Sequence, residues 1–176
     1  MNGGLLFLAA GGAVVFTALL FARALVHKLS DVTAFSGFVA DYGILPERFV
    51  RPATLGLVAA EGAILVALVV PALWPVGPVL AALMLLAYAA AIGQAVRMGR
   101  RWIECGCGGA VQPVSWGLVG RNVALAALAL LGAAGSPFSL DVGEATAVIA
   151  SGFTVFLGYL LVEQILGNAA YLKPRT

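Results

Sequence analysis

Apolar runs alternate with short polar breaks along the whole chain. Five of the runs are long enough to cross roughly 30 Å of hydrocarbon at about 1.5 Å of helical rise per residue. They fall at residues 5–26, 53–73, 76–96, 118–134 and 145–166. Lipid offers no water to an unpaired backbone group, so each run is expected to be a helix. Trp74 and Pro75 alone separate the second and third runs, which predicts antiparallel neighbours joined by a tight turn. Gly and Ala dominate the runs and let helix backbones approach closely where packing, not water exclusion, drives association. The fold class this predicts is an all-α membrane protein. Residues 1–176 form a single domain, a compact bundle of about five transmembrane helices.

The first break is more than a linker. After Ser30, read as an N-cap with Asp31 in the first turn, Val32, Phe35, Phe38, Val39 and Tyr42 fall on one stripe, and Gly43 stops it. This spacing predicts a short helix lying in the membrane interface. Pro46 and Pro52 are then expected to break the chain before the second span. The N-terminal run begins Met1-Asn2-Gly3-Gly4 without a basic flank, so it is expected to be a retained helix, although Ala22-Arg23-Ala24 mimics a cleavage site.

Composition agrees with lipid as the solvent: 62% of residues are hydrophobic, 10% are charged and the mean hydropathy is +1.04. Soluble domains carry about a quarter charged residues. A net charge of +2 gives no sign of a nucleic-acid partner, and none is expected. The placement of the charges matters more than their sum. All 10 basic residues flank the first connection, the third connection and the C-terminus, while residues 135–144 carry Asp141 and Glu144 and no base. The positive-inside rule therefore predicts an N-terminus outside and a C-terminus in the cytoplasm. Trp74 would lie at the outer interface, with Trp102 and Trp116 at the inner one.

Two features carry candidate chemistry. The 2 cysteines sit one residue apart in Glu104-Cys105-Gly106-Cys107-Gly108-Gly109. Gly106 is permissive enough for a small disulfide ring, whose strain would make it easy to reduce and so suit it to redox exchange. Arg97, Arg100 and Arg101 favour thiolate here, and Glu104 opposes it. Two unreactive loop cysteines, or half of a metal site, are the competing readings. Zinc takes four ligands and His27 is the 1 histidine, so no metal is expected. The second feature is Glu61, inside the second span. An acid there costs several kcal/mol unless paired or protonated, and by default it marks function. Its candidate partners are His27, Lys28 and Arg121, and an ion pair that serves packing alone is the plain alternative. Glu163, about one turn from its helix end, is expected to snorkel outward, and Asn122 to hydrogen-bond across helices. Under the predicted topology His27, Lys28, Glu61, Cys105, Cys107, Arg121 and Asn122 share one half of the bundle, where an acid and a histidine would serve thiol chemistry.

At these residues the sequence resembles the MauE branch of the DoxX-like membrane proteins, named for methylamine utilisation. The resemblance runs through Ala24-Leu25-Val26-His27-Lys28-Leu29, Asp31, Phe35, Tyr42 and Leu45-Pro46. It continues through Glu61, Cys105-Gly106-Cys107 and Arg121-Asn122. It implies a bacterial cytoplasmic membrane protein that handles disulfides during maturation of extracytoplasmic proteins, alongside a thioredoxin-like partner. It is also similar in layout to the quinone-coupled vitamin K epoxide reductase bundles, which use Cys-x-x-Cys, so a quinone is the one cofactor the resemblance brings in. Gly108 stands where the family often carries an aromatic.

The leading expectation is thus a membrane thiol–disulfide oxidoreductase relaying electrons through Cys105 and Cys107, with His27 and Glu61 as proton carriers. Lys28, Arg101, Glu104, Arg121 and Asn122 would support them. A non-enzymatic membrane subunit of a maturation complex and a proton-coupled transporter built on Glu61 are the alternatives. The family role points outward, while the charges place the cysteines at the cytoplasmic face. A relay from a cytoplasmic thioredoxin, or a loop folded back into the bilayer, would reconcile the two.

Overall fold

A computed structural model describes residues 2–100, 113–135 and 141–172, with side chains over 4–100, 113–135 and 141–168. The described residues are helical with short connections: α1 (Asn2–Ser30), α2 (Val32–Asp41), α3 (Glu47–Val69), α4 (Val76–Arg97), α5 (Trp116–Ala133) and α6 (Val142–Leu172). Five of these helices are long and apolar enough to span a membrane, and α2 is the short one. The all-α membrane fold is therefore as the apolar pattern predicts.

The boundaries differ from the pattern in informative ways. Helix α3 starts at Glu47 rather than near residue 53, with Pro46 as its N-cap and Pro52 inside it. Pro52 withholds one donor, from the carbonyl of Arg48, at an exposed end of the helix. The same span ends at Val69, and Pro71–Leu73 form a 3-10 turn before a cis Trp74–Pro75 bond. Helices α1 and α6 extend beyond their apolar runs at both ends. At α2 the capping residue is Asp31, whose side chain accepts from the Ala34 amide at 2.8 Å; Ser30 closes α1, donating to His27 O. The expected stripe holds, with Phe35 buried and Val32, Phe38, Val39 and Tyr42 half-buried.

Small residues set the helix spacing. A Cβ on Gly152 of α6 would lie 2.6 Å from the Val15 side chain and 3.0 Å from Gly12 O, so α1 and α6 touch almost backbone to backbone. Helix α4 packs on α5, and α1 on α3, α5 and α6. Phe16, Phe21, Ile64, Leu68, Ala81, Leu85 and Ala126 interlock at the centre. The outward faces of α5 and α6 stay apolar and exposed, as Leu130, Phe153, Leu157 and Ile165 do, which is the surface a bilayer covers.

The ends sort into two sets. Trp74 Nε1 donates to Gly132 O at 3.3 Å, tying the α3–α4 turn to the end of α5, and Gly135 packs against Ala10 of α1. At the other end, Arg100 donates to Asp41 O at 3.0 Å, joining the end of α4 to that of α2. Gly43 makes this contact possible: its φ of +62° turns the chain, and a Cβ there would strike the Arg100 guanidinium at 2.5 Å. Every described basic residue lies in the half of the bundle that ends there, hereafter the basic end.

Candidate functional site

Three helices converge on a buried carboxylate in the half of the bundle toward the basic end. Lys28, in the last turn of α1, points its ammonium at Glu61 of α3, with Nζ 2.6 Å from Oε1. Tyr88 of α4 donates its hydroxyl to the same oxygen at 2.6 Å. Both members of the ion pair are 1% exposed. Among the sequence-derived partners of Glu61 the structure thus selects Lys28. Two aromatic faces complete the lysine's surroundings, Phe35 at 5.1 Å and Tyr88 at 5.4 Å from Nζ. Phe35 is the buried residue of α2, so the interfacial helix is laid over the ion pair. The second Glu61 oxygen, Oε2, is buried with no hydrogen-bond partner among the described residues.

A second polar cluster lies alongside. Glu163 of α6 accepts from Arg23 at 2.6 Å on one oxygen, and from Arg121 at 3.2 Å and Tyr159 at 3.0 Å on the other. This corrects the expectation that Glu163 snorkels outward. It is 5% exposed, because two guanidinium groups from α1 and α5 meet it inside the bundle and remove the need to reach water. Asn122 is corrected too: it is buried, but its amide donates to Leu118 O one turn back in its own helix at 2.8 Å instead of crossing to another. His27 is exposed, about a 100° helical step away from the inward-pointing Lys28, and does not join either cluster.

Between the clusters is a cavity of about 30 Å³, lined by Lys28, Glu61, Tyr88, Arg121, Asn122 and Tyr159 with apolar neighbours. Near the basic end of α2, burial pushes the Tyr42 hydroxyl up to about 12 while Arg121 pulls it down, so this phenol keeps its proton at neutral pH. No group of His, Cys, Asp and Glu suited to a metal occurs among the described residues.

Cys105, Cys107, Arg101 and Glu104, together with Trp102, lie outside the described residues. The two anchors of their segment are described. Arg100 is tied to α2, and Val114 is buried against Ile92, Ala95, Val96 and Leu118, with Tyr42 packed beside it. Arg97 stacks over Trp116 at 5.9 Å. Both ends of the cysteine segment therefore leave from the basic end, the end toward which Glu61 and Lys28 lie.

The family model described as "Methylamine utilisation protein MauE" matches residues 5–135. The chain belongs to the MauE family. It is 41% identical over 160 residues to the methylamine utilization protein MauE of Paracoccus denitrificans, covering 89% of this chain and 86% of the relative. The Paracoccus versutus MauE is 36% identical over 92% of this chain and 88% of its own, and that of Methylophilus methylotrophus 32% over 90% and 86%. No solved structure matches the chain. The stretch matched by the MauE model contains Lys28, Glu61, Tyr88, Cys105, Cys107, Arg121 and Asn122, and stops short of α6 with its Glu163.

Sequence reasoning missed four contributors: Tyr88, Tyr159, Arg23 and Phe35 as a cation partner. Tyr88 and Tyr159 carried a signal, being the polar-tipped residues in otherwise aliphatic spans, where a buried hydroxyl must find an acceptor. Arg23, one and a half turns before Lys28, was read as a topology marker and is also an interhelical tie.

Proposed function

We propose that this MauE-family membrane protein is a thiol–disulfide oxidoreductase supporting the extracytoplasmic protein maturation on which methylamine utilisation depends. Cys105 and Cys107 are its redox pair. The thiolate of one attacks a disulfide in a thioredoxin-like partner and forms a mixed disulfide. The other then attacks that bond, so the partner leaves as a dithiol and the pair is left oxidised. Two electrons and two protons pass between the proteins, and the reverse sequence balances equally. The supporting observation is spatial: both anchors of the cysteine segment sit at the basic end, toward which the buried Glu61–Lys28–Tyr88 cluster also lies. A group able to hold a proton near the thiols is what the exchange needs. The positive-inside rule puts this end in the cytoplasm of the bacterium, with the N-terminus outside.

Of two cavities among the described residues, neither is both polar and large enough to seat a quinone ring. The polar cavity of about 30 Å³ takes a water rather than a ring. The roomier cleft of about 390 Å³ between α1, α5 and α6 is lined by Leu5, Leu8, Phe16, Leu128 and Leu131, with Ser151 as its polar side chain. No step is therefore routed through a quinone.

The test is trapping. Cys105→Ser and Cys107→Ser variants are expressed singly and together, and a mixed disulfide with a thioredoxin-like protein is sought by non-reducing electrophoresis. One single variant accumulates the adduct and the double variant does not. An adduct in the double variant, or none in either single, refutes the reading. A second reading, a membrane subunit without catalysis, is favoured by the mutual pairing of the buried charges, which serves assembly as well as chemistry. It predicts that a cysteine-free chain restores full growth on methylamine to a deletion strain.

A further inference from the structure

Glu61 uses one carboxylate oxygen and leaves the other bare. Lys28 and Tyr88 both reach Oε1, while Oε2 is buried and carries no hydrogen bond among the described residues. The residue lines the cavity of about 30 Å³, and Lys28, Tyr88, Arg121, Asn122 and Tyr159 bring further polar groups to its wall from four other helices. A water needs roughly 10–15 Å³ and two to four polar partners. The cavity offers the space and the partners, and an orphan acceptor in lipid is costly unless something donates to it. We propose that this cavity is a water site at which Glu61 takes up and returns a proton on Oε2.

The surroundings are built for both charge states. With the carboxylate ionised, Lys28 is its counterion and Tyr88 its second donor. With Oε2 protonated, Oε1 still accepts from both, and the ammonium keeps the faces of Phe35 and Tyr88. The cation then keeps these contacts while it is without its counterion. The step balances without electrons. A hydronium ion from the aqueous phase passes its proton through the cavity water to Oε2: one O–H bond breaks on the donor for the one that forms on the carboxyl, and water is left behind; the pair goes from neutral to singly positive, and release is the reverse. The charged and titratable groups around it are Lys28 and Arg23 on α1, Tyr42 beyond α2, Tyr88 on α4, Arg121 on α5, and Tyr159 and Glu163 on α6. Glu163 offsets one of the two nearby guanidinium charges, those of Arg23 and Arg121.

This assignment does not use the cysteines, and it is tested in a chain carrying Cys105→Ser and Cys107→Ser, so a failure of the thiol chemistry leaves it standing. Difference infrared spectra of that chain in bilayers are recorded between alkaline and acid pH, in H₂O and D₂O. The expected signal is a protonated-carboxyl C=O band that shifts in D₂O, disappears in Glu61→Gln and survives in Glu163→Gln. Glu61→Asp, which withdraws the carboxyl by one methylene, shifts the band and serves where Glu61→Gln fails to fold. Ala24 of α1 also lines the cavity, so Ala24→Leu fills it and slows the D₂O shift. A band that survives Glu61→Gln, a band unmoved by Glu61→Asp, or an Ala24→Leu chain that exchanges as fast as its parent overturns the proposal.

Discussion

Removing Lys28 alone should damage the fold more than removing Lys28 and the Glu61 charge together. Both groups are 1% exposed, 2.6 Å apart, on helices that meet beneath α2. In Lys28→Met the carboxylate keeps one donor, Tyr88, and loses its counterion. Breaking one side of a buried pair costs about 3–5 kcal/mol. The carboxyl recovers part of this by taking up a proton. In Glu61→Gln the amide oxygen still accepts from Tyr88 and Lys28, but the ammonium loses its counterion and keeps two aromatic faces, each offering about 0.5–2 kcal/mol. In Lys28→Met/Glu61→Gln no charge remains, Tyr88 keeps its acceptor and the methionine fills the lysine's volume. Replacing a whole buried pair by well-packed neutral groups is often neutral or stabilising.

The expected order is therefore the wild type and the double variant close together, with both singles well below. For a chain of this size about 1 kcal/mol corresponds to roughly 2–4 °C in Tm, so each single should lose roughly 6–20 °C before protonation relief. The assay is thermal unfolding of the four proteins in one detergent at one pH, followed by circular dichroism, and read as a double-mutant cycle. If the double variant falls by the sum of the two singles, the residues act independently and the ion pair is not what holds α1 to α3.

Three further outcomes follow from the same geometry. Gly152→Leu drives a side chain into Val15 and the α1 backbone, so α6 should detach and a cysteine crosslink engineered between the two helices should fail to form. Phe35→Ala removes the one buried side chain of α2 and a face of the Lys28 clamp, at a cost of about 3–5 kcal/mol, and should expose the α1–α2 hinge to protease. A membrane-impermeant maleimide should label Cys105 and Cys107 in inverted vesicles and not in intact cells; labelling only in intact cells reverses the topology.

Much of the bundle is written in the sequence because lipid makes a blunt demand. A run such as Val76–Arg97 must be helical wherever its partners lie, and the structure returns it almost to the residue. Ends follow softer rules. Pro52 reads as a breaker, yet the carbonyl it leaves without a donor, that of Arg48, is on an exposed residue of the first turn, and α3 runs through it. The site was half legible. Glu61 announces itself as an acid in a span, and Lys28 was among its named partners. Periodicity puts Lys28 and His27 a helical step of about 100° apart, so only one faces inward, and the choice depends on which face of α1 carries the buried Val14, Thr17 and Phe21. Glu163 was misjudged for the opposite reason. Its helix runs on to Leu172, well past the end of the apolar run, and its fate depends on Arg23, which lies 140 residues away in the chain.

The buried charges also explain how an assembly of such uniform spans finds one arrangement. Apolar helices in lipid gain nothing by hiding hydrophobic surface from one another, so Leu and Ala faces leave their register loosely specified. Lys28–Glu61–Tyr88 fixes α1 against α3 and α4, and Arg23–Glu163–Arg121 fixes α1 against α6 and α5. Each tie has a penalty for the wrong register, an unpaired charge in hydrocarbon, which is larger than any packing gain nearby. Both ties lie toward the basic end and leave the opposite half to small-residue contacts and the neutral Trp74–Gly132 hydrogen bond. The basic end is thus the rigidly specified one, and the cysteine segment is anchored there at both its ends. A redox pair that must meet a soluble partner in a fixed geometry is best carried on such a base. The residues that choose the fold and the residues that would manage the protons are consequently the same ones, so a variant at Glu61 should be judged by stability before its effect on activity is attributed to chemistry.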